Sequence, residues 1–425
     1  MIYTNATKEE LQAELTKLKT EYEKYKVLGL KLDMSRGKPC AEQMDLSEGL
    51  LTVVSKNEEC ISEEGLDVRN YGGLDGLIEM KRFFAGIMNV PTEMIFVGGV
   101  SSLRMMYDAY ARNMMFGVGD GMETWCKAPH KFLCPSPGYD RHFAISQSMG
   151  AELITVPMRK DGPDMDTVER LVKDDPAIKG IWCVPKYSNP TGITFSEDTV
   201  RRLVSMETAA KDFRIFWDNA YGIHDLYEES DPLAEIFTLA REYGNEDRVY
   251  EFCSFAKITY SGGNVSAMAM SPRNRAYARK FLSKQFICND KVNQLRHARF
   301  FGDFEGLKAH MRAHADILRP KFEAVLRTFE EQLTPCGIGS WSSPRGGYFI
   351  SLDLPNGTAK HTYWLCADLG VVLTPAGATF PYGIDPNDSN LRIAPSFPSA
   401  EEMRSAAEVL CLCAKIAAIE KLLEK

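Results

Sequence analysis

Four residues in the middle of the chain could together carry out chemistry on a carbonyl compound. Lys257 stands three residues after Ser254, and a lysine whose amine is unprotonated near neutral pH can form a Schiff base. Asp218 and Tyr221 also stand three residues apart, and they supply a carboxylate and a phenol. Each residue alone has an ordinary explanation, because lysines are usually solvated and an aspartate after a strand often caps a helix.

Three further segments offer groups that bind anions or hydrogen-bond a ligand. Ser101 and Ser102 follow a Gly-Gly pair at a predicted strand-to-helix turn, where free backbone N–H groups and the helix dipole suit a phosphate. Asn189 begins an Asn-Pro-Thr-Gly run, which could also be only a turn. Arg392, near the carboxyl end of the chain, presents the planar fork that binds a carboxylate through two hydrogen bonds.

Short apolar runs alternate with helical stretches between residues 70 and 270, which predicts an α/β fold with a mostly parallel sheet covered by helices. Helices are expected at 197–213 and 231–243. Ligands of such sheets gather at the carboxyl ends of the strands, where the polar residues above are placed. The predicted strands are 94–97, 131–134, 152–156, 180–184, 214–217 and 248–252.

Both ends of the chain look different from this middle part. Residues 8–26 carry leucines at helical spacing and predict one amphipathic helix. The last third predicts helices at 274–284 and 304–333, a strand at 347–353 and a terminal helix from Ser399. We expect an N-terminal helix and loop (1–60) that joins a C-terminal α+β domain (311–425), with the large domain (61–310) between them.

Composition excludes several classes of protein. The 425 residues carry a formal charge of −8 without a dominant basic stripe, which argues against a nucleic-acid partner. No apolar run reaches the ~18 residues of a membrane span, and the charged N-terminus has no apolar core for export, so a cytoplasmic location is expected. The eleven cysteines include no Cys-x-x-Cys pair and predict reduced, mostly buried thiols.

No metal site is predicted. His310 and His314 stand one helical turn apart, but the glutamate of a metalloprotease motif is missing between them. A solvated helix face is the expectation for this pair.

The order and spacing of these motifs resemble the fold type I pyridoxal-phosphate enzymes, and specifically the class I/II aminotransferases. The Asn-Pro-Thr-Gly run, the Asp-x-x-Tyr pair and the Ser-x-x-Lys lysine match that family's motifs, with 29 residues from Asn189 to Asp218 and 39 from Asp218 to Lys257. The resemblance extends over residues 30 to 420. It implies pyridoxal 5'-phosphate as the cofactor and a homodimer with shared active sites.

The resemblance also implies a role for each residue. Lys257 would be the catalytic lysine that carries the cofactor and moves a proton, and Asp218 would keep the pyridine nitrogen protonated. Arg392 would bind the substrate carboxylate, and Tyr71 would reach the phosphate in the neighbouring subunit. Further cofactor contacts are expected from Ser101, Ser102, Tyr139 (stacked on the ring), Asn189, Tyr221 and Ser254.

Two departures from the family pattern suggest a subgroup. The family usually has a phosphate-binding arginine eight residues after the lysine, whereas this chain has Val265. The opening run Ser-Arg-Gly-Lys-Pro at 35–39, together with the runs at 137–142 and 290–294, resembles a divergent bacterial branch of aspartate aminotransferases. L-aspartate and 2-oxoglutarate are therefore the expected substrates, and oxaloacetate and L-glutamate the products.

An aspartate substrate needs a second cation for its side chain, since a buried unpaired carboxylate costs several kcal/mol. Gly37 and Asn189 are expected near the substrate. The preferred cations are Lys291, contributed by the neighbouring subunit, and Arg36 of the same subunit, ahead of Arg141.

Three other functions share a motif or the cofactor with this interpretation. Ser-x-x-Lys also occurs in penicillin-binding proteins and β-lactamases, but their Ser-Asp-Asn and Lys-Thr-Gly partners are missing. A cofactor-binding regulator would normally carry a DNA-binding module, for which the residues before Met34 are too few. Another pyridoxal-phosphate reaction, such as a β-lyase or the transamination of other amino acids, is the nearer alternative.

Overall fold

A computed structural model describes residues 1–424 and contains two sheet-based units. The strands are β1 Leu32–Asp33, β2 Ile95–Val97, β3 Lys131–Ser136, β4 Glu152–Arg159, β5 Gly162–Pro163, β6 Ile178–Cys183, β7 Arg214–Asp218, β8 Val249–Ser254, β9 Ser266–Met270, β10 Ser340–Trp341, β11 Ile350–Asp353, β12 Val371–Val372 and β13 Asn390–Ile393. The helices are α1 Lys8–Leu28, α2 Ala41–Asp45, α3 Ile78–Met88, α4 Ser102–Phe116, α5 Asp140–Ser148, α6 Met165–Asp174, α7 Glu197–Ser205, α8 Ile236–Glu242, α9 Pro272–Gln285, α10 Lys291–Phe301, α11 Phe304–Gln332, α12 Ala359–Asp368 and α13 Ala400–Leu423.

The large sheet has eight strands in the order β2-β9-β8-β7-β6-β3-β4-β5. The five strands from β8 to β4 are parallel, which confirms the predicted α/β class. Strand β9 is antiparallel to both of its neighbours, so β2 runs in the same direction as β8. The turns after β2 and β8 therefore lie at the same edge of the sheet, although their strands are not adjacent.

Alternating side chains of the parallel strands enter two separate cores. On β7, Ile215 and Trp217 pack into one apolar cluster, and Phe216 packs into the cluster on the opposite face. Residues that alternate in this way are buried on both faces, because helices cover both sides of the sheet. The result is a rigid support for the loops at its carboxyl edge.

Two predicted helices were wrong in extent, and one strand was missed. The helix predicted at 197–213 ends at Ser205, because Met206 is extended and the following residues lead into β7. The helix predicted at 231–243 begins at Ile236, where the Glu235 side chain accepts the first N–H groups. Strand β9 was not predicted, since its Ser-Ala-Met-Ala-Met sequence lacks β-branched residues.

The smaller unit is built from both ends of the chain, as predicted. The buried residues Leu11, Leu15 and Leu18 of α1 share a hydrophobic core with α13 and the end of α11. Strand β1 pairs with β12, and β10, β11 and β13 form a three-stranded antiparallel sheet. The boundaries after residues 60 and 310 stay predictions.

The histidine pair on α11 corrects one expectation. His314 is buried and His310 is half-buried, so this is not a solvated helix face. His314 Nδ1 lies 2.9 Å from Gln43 Nε2, and His314 Nε2 lies 3.0 Å from His310 Nε2. Burial and the neighbouring His310 lower the pKa of His314 to about 3.

Eight of the eleven cysteines are buried, in agreement with the predicted packing role. Within residues 1–424, no helix has the combination of length and apolar character that a membrane crossing requires.

Candidate active site

A cavity of about 850 Å³ lies at the carboxyl edge of the large sheet, between the two units. It brings together most of the residues that the sequence singled out. The predicted residues that line it are Arg36, Gly37, Ser101, Ser102, Tyr139, Arg141, Asn189, Asp218, Tyr221, Ser254, Lys257 and Arg392.

Lys257 lies in the short turn that follows β8. Its Nζ is 5.2 Å from the centre of the Tyr221 ring and 5.8 Å from that of Tyr348. Burial lowers the pKa of Lys257; Asp218 acts in the opposite direction, and Arg392 lowers the pKa further. Its amine is therefore easier to deprotonate than that of a solvated lysine, which favours nucleophilic chemistry.

Asp218 is the last residue of β7 and is buried. Its Oδ2 lies 3.0 Å from His142 Nε2. The ring of His142 stacks on Trp182 at 4.5 Å between centroids, which fixes its orientation. Oδ1 of Asp218 is buried and has no hydrogen-bond partner among the described residues. An unpaired buried carboxylate oxygen is costly, so this atom is suited to accept a hydrogen bond from a bound group.

The start of α4 and the turn after Lys257 form one edge of the cavity, and this edge is suited to an anion. Ser101 is the N-cap of α4, and Ser102 is its first residue, so unpaired backbone N–H groups and the positive helix end face the cavity. Asn264 ties the two turns together by donating to the carbonyls of Val100 and Ser261. Val265, at the position of the missing arginine, is buried. This position therefore offers an apolar side chain in place of a cation.

Arg392 comes from β13 of the small unit, which carries it across to the large sheet. Its Nη1 donates to Asp140 Oδ1 at 3.1 Å and to Asn189 Oδ1 at 3.3 Å. Its Nε donates to Thr374 Oγ1 at 3.3 Å. The guanidinium is therefore oriented by three groups, and only about 9% of its side chain is exposed.

Tyr139 is the N-cap residue of α5 and lines the cavity beside His142, with the two ring centroids 4.9 Å apart. Burial, with Asp218 and Asp140 nearby, raises the pKa of Tyr139 to about 12. Its hydroxyl is therefore protonated at neutral pH.

The proposed side-chain cations are placed differently from one another. Arg36 lines the cavity and makes no ion pair among the described residues. Arg141 also lines it, with Nε 4.0 Å from Asp140. Lys291 lies outside this cavity, and its buried Nζ donates to the carbonyl of Asn70 at 2.7 Å. Tyr71, next to Asn70, is about 76% exposed and also lies outside the cavity.

Sequence reasoning missed four residues of the site. His142 and Asp140 belong to the Pro-Gly-Tyr-Asp-Arg-His run at 137–142, which was used only to suggest a subgroup. Thr374 lies in a loop of the small unit with no motif around it. Tyr348 accepts a hydrogen bond from Gln43 and donates one to the carbonyl of Lys257. Asp140 and His142 lie in the first turn of the helix that follows β3, and their place after a strand of the parallel sheet could have indicated them, but no signal marked the other two.

The fold and the site define an aminotransferase of the fold type I pyridoxal-phosphate class. A family model described as aspartate amino-transferase matches residues 6–425, so the chain belongs to the aspartate aminotransferase family. An aspartate aminotransferase from Corynebacterium glutamicum is 45% identical over 404 residues, which cover 95% of this chain and 93% of the relative.

Solved structures agree with this assignment. An aspartate transaminase from Corynebacterium glutamicum matches with a TM-score of 0.96 and 43% identity over 99% of both chains. An alpha-aminoadipate aminotransferase from Thermus thermophilus, solved with N-(5'-phosphopyridoxyl)-L-leucine, has the same fold, with a TM-score of 0.74 and 20% identity over 94% of this chain and 95% of that one.

Pyridoxal phosphate is the cofactor that this family membership implies, and the cavity fits it. The unpartnered Oδ1 of Asp218 suits a protonated ring nitrogen, and the half-buried Lys257 with its lowered pKa suits the aldehyde. The N-terminus of α4 suits the phosphate. The described residues of the cavity therefore offer a partner for the ring nitrogen, the aldehyde and the phosphate. They lack the arginine that the family usually has at position 265.

Proposed function

We propose that the enzyme transfers the amino group of L-aspartate to 2-oxoglutarate, yielding oxaloacetate and L-glutamate. The observation that carries this proposal is the cation set of the cavity. Arg392 is suited to one carboxylate, and Arg36 and Arg141 line the same space. A dicarboxylic substrate needs two such positions, whereas an apolar amino acid needs only one. The 45% identity to an aspartate aminotransferase supports the same substrate.

We assign the cofactor contacts as follows. Asp218 hydrogen-bonds the ring nitrogen through Oδ1, while His142 holds Oδ2. Tyr221 and Asn189 hydrogen-bond the phenolic oxygen, and Tyr139 stacks on the ring. When bound, pyridoxal phosphate supplies the electron sink that stabilises negative charge at the substrate α-carbon. Ser101, Ser102 and Ser254 hold the phosphate.

Lys257 has two tasks in this scheme. Its Nζ would hold the cofactor through the aldehyde. When it does not hold the cofactor, the neutral amine would serve as the base that accepts the proton from the substrate α-carbon and as the acid that returns it. Burial lowers the pKa of Lys257, which favours the neutral amine, the form that can accept this proton.

Arg392 binds the α-carboxylate and so orients the bond that is broken. Asn189 contacts the same guanidinium, which links carboxylate binding to the ring contact of Asn189. For the side-chain carboxylate we favour Arg36, since it lines the cavity without an ion pair among the described residues. Lys291 of a neighbouring subunit remains the second candidate, and Gly37 forms the cavity wall beside Arg36.

We also propose a homodimer with shared sites. Tyr71 is a large aromatic residue, yet about 76% of its surface is exposed. Lys291 donates to the carbonyl of Asn70, the residue that precedes Tyr71. A two-fold axis at this surface would place both residues near the other subunit's cavity, and the exchange would be reciprocal.

Steady-state kinetics of Arg36→Ala and Lys291→Ala with two amino acids test the substrate assignment. Loss of the side-chain clamp should lower kcat/KM for aspartate about 100-fold, equivalent to ~2.7 kcal/mol. Alanine turnover should change much less, because alanine has no second carboxylate. Equal losses for both amino acids would assign the residue to the cofactor phosphate, and poor aspartate turnover by the parent enzyme would overturn the substrate proposal.

A further inference from the structure

The carboxylate of Asp140 forms an ion pair with Arg392, the arginine that is expected to bind the substrate. It is the first residue of α5 and lines the cavity, with about 35% of its side chain exposed. Its Oδ1 accepts from Arg392 Nη1 at 3.1 Å. The interaction has the same chemistry as that between the arginine and a substrate carboxylate.

The hydrogen bonds of Arg392 leave one part of its fork open. Nη1 is shared between Asp140 and Asn189, and Nε is bonded to Thr374. Nη2 has no hydrogen-bond partner among the described residues. A carboxylate that binds through two parallel hydrogen bonds must use Nη2 together with Nη1 or Nε. It either displaces Asp140 or binds beside it on the same guanidinium.

In both arrangements, displacement of Asp140 or binding beside it, Asp140 weakens the binding of a carboxylate to Arg392. Displacement costs the existing ion pair, and shared binding places two negative charges near one positive charge. Arg141 offers partial relief, because its Nε is 4.0 Å from Asp140 Oδ2 and about 64% of its side chain is exposed. The carboxylate of Asp140 can therefore turn from Arg392 towards Arg141.

We propose that Asp140 is a built-in competitor for Arg392 that limits the affinity for substrate and product carboxylates, and that Arg141 receives it when a ligand binds. The inference rests on the proposed role of Arg392. It predicts that removal of the charge at position 140 tightens ligand binding. A residue that only orients Arg392 would have the opposite effect, since its removal would weaken binding.

The test is a titration of the holoenzyme with unreactive carboxylates. Propionate supplies one carboxylate and succinate supplies two, and each is followed by calorimetry. Asp140→Asn should lower the Kd of both ligands about tenfold, and it should lower KM for alanine and aspartate without a matching rise in kcat. Asp140→Glu, which keeps the charge, should bind both ligands like the parent. Unchanged or weaker binding by Asp140→Asn would overturn the proposal.

Two controls distinguish a failure of this proposal from a failure of the proposed role of Arg392. Asp198→Asn removes an exposed acid from the first turn of α7, outside the cavity, and should leave both Kd values unchanged. Arg392→Ala should abolish propionate binding. If Arg392→Ala still binds propionate, the proposed role of Arg392 is wrong. If Arg392→Ala loses propionate binding but Asp140→Asn does not bind propionate more tightly, only the competitor proposal is wrong.

The double variant tests the part assigned to Arg141. Arg141→Ala should weaken propionate binding in the parent, because Asp140 then stays on Arg392. It should have little effect in the Asp140→Asn background, where no carboxylate needs a second partner. An equal loss in both backgrounds would contradict the assignment.

Discussion

The carboxylate of Asp218 meets the imidazole of His142 at 3.0 Å, and both side chains are buried. The contact joins the end of β7 to the first turn of α5, which are 76 residues apart in sequence. His142 in turn stacks on Trp182 of β6. One oxygen of Asp218 is thus held in place by a rigid partner, and the other is left for a ligand.

The first prediction concerns this contact. His142→Phe keeps a ring against Trp182 but removes the hydrogen bond to Asp218. We expect the affinity of the apoenzyme for pyridoxal phosphate and kcat each to fall about tenfold, since Asp218 loses its fixed orientation. Asp218→Asn should lower kcat at least ten times more, because it removes the charge itself. A His142→Phe enzyme with normal cofactor affinity and kcat would show that the histidine does not position Asp218.

The second prediction concerns the wall of the cavity at Gly37. A Cβ at this position would lie 2.5 Å from Cζ of Phe349, whose ring centre is 5.0 Å from the Arg392 guanidinium carbon. Gly37→Ala must push the ring, and the shift should reach Arg392. We expect KM for amino acids to rise about tenfold with little change in the affinity for pyridoxal phosphate. A parallel loss of cofactor affinity would place the disturbance at the ring pocket instead.

A third prediction follows from the low pKa of Lys257. The unfolded chain binds a proton on this lysine up to about pH 10.4, whereas the folded apoenzyme releases it at lower pH. Between these two pKa values the stability of the apoenzyme rises with pH, and below the folded pKa the cost of burying the lysine is complete.

Lys257→Met should therefore stabilise the apoenzyme at pH 7, and the gain should shrink as the pH approaches 10.4. Urea unfolding of both apoproteins at several pH values measures this difference. A gain that is constant with pH would mean that the folded and unfolded pKa values are the same.

The fourth prediction concerns acid stability. Burial and His310 lower the pKa of His314 to about 3, so the folded state disfavours its proton from about pH 6.5 downwards. Stability should fall by roughly 1.4 kcal/mol per pH unit in this range, until His314 titrates in the folded state. His314→Gln cannot take up this proton, and its stability should depend less on pH between 6.5 and 4. Identical pH profiles for the two proteins would contradict the burial of this histidine as the cause.

The parts of the site that could be predicted are those fixed by sheet direction. Asp218 ends one parallel strand, and Asn189 and Lys257 follow two others; the carboxyl ends of parallel strands meet at one edge. Their convergence required only that the strands were recognised. Ser101 follows β2, which joins the sheet through the unpredicted antiparallel β9, so its position at this edge depended on a strand that the sequence did not reveal.

The rest of the site depends on contacts between distant segments. Asp140 and Thr374 meet at Arg392, although they belong to different units and neither is marked by the sequence as a partner of an arginine. The buried His314 meets Gln43 of α2, which also donates to the hydroxyl of Tyr348, just before β11. Spacing along one helix could not distinguish this buried pair from a solvated one.

A single-turnover reaction with aspartate tests the central claim most directly. The holoenzyme is mixed with L-aspartate in the absence of any 2-oxo acid, and the cofactor absorbance and released products are followed. Transamination predicts one oxaloacetate per active site, a loss of the cofactor's initial absorbance band, and recovery of that band when 2-oxoglutarate is added; Lys257→Ala should show none of these changes. Release of alanine and carbon dioxide, continuous turnover without an oxo acid, or a normal reaction by Lys257→Ala would contradict the account.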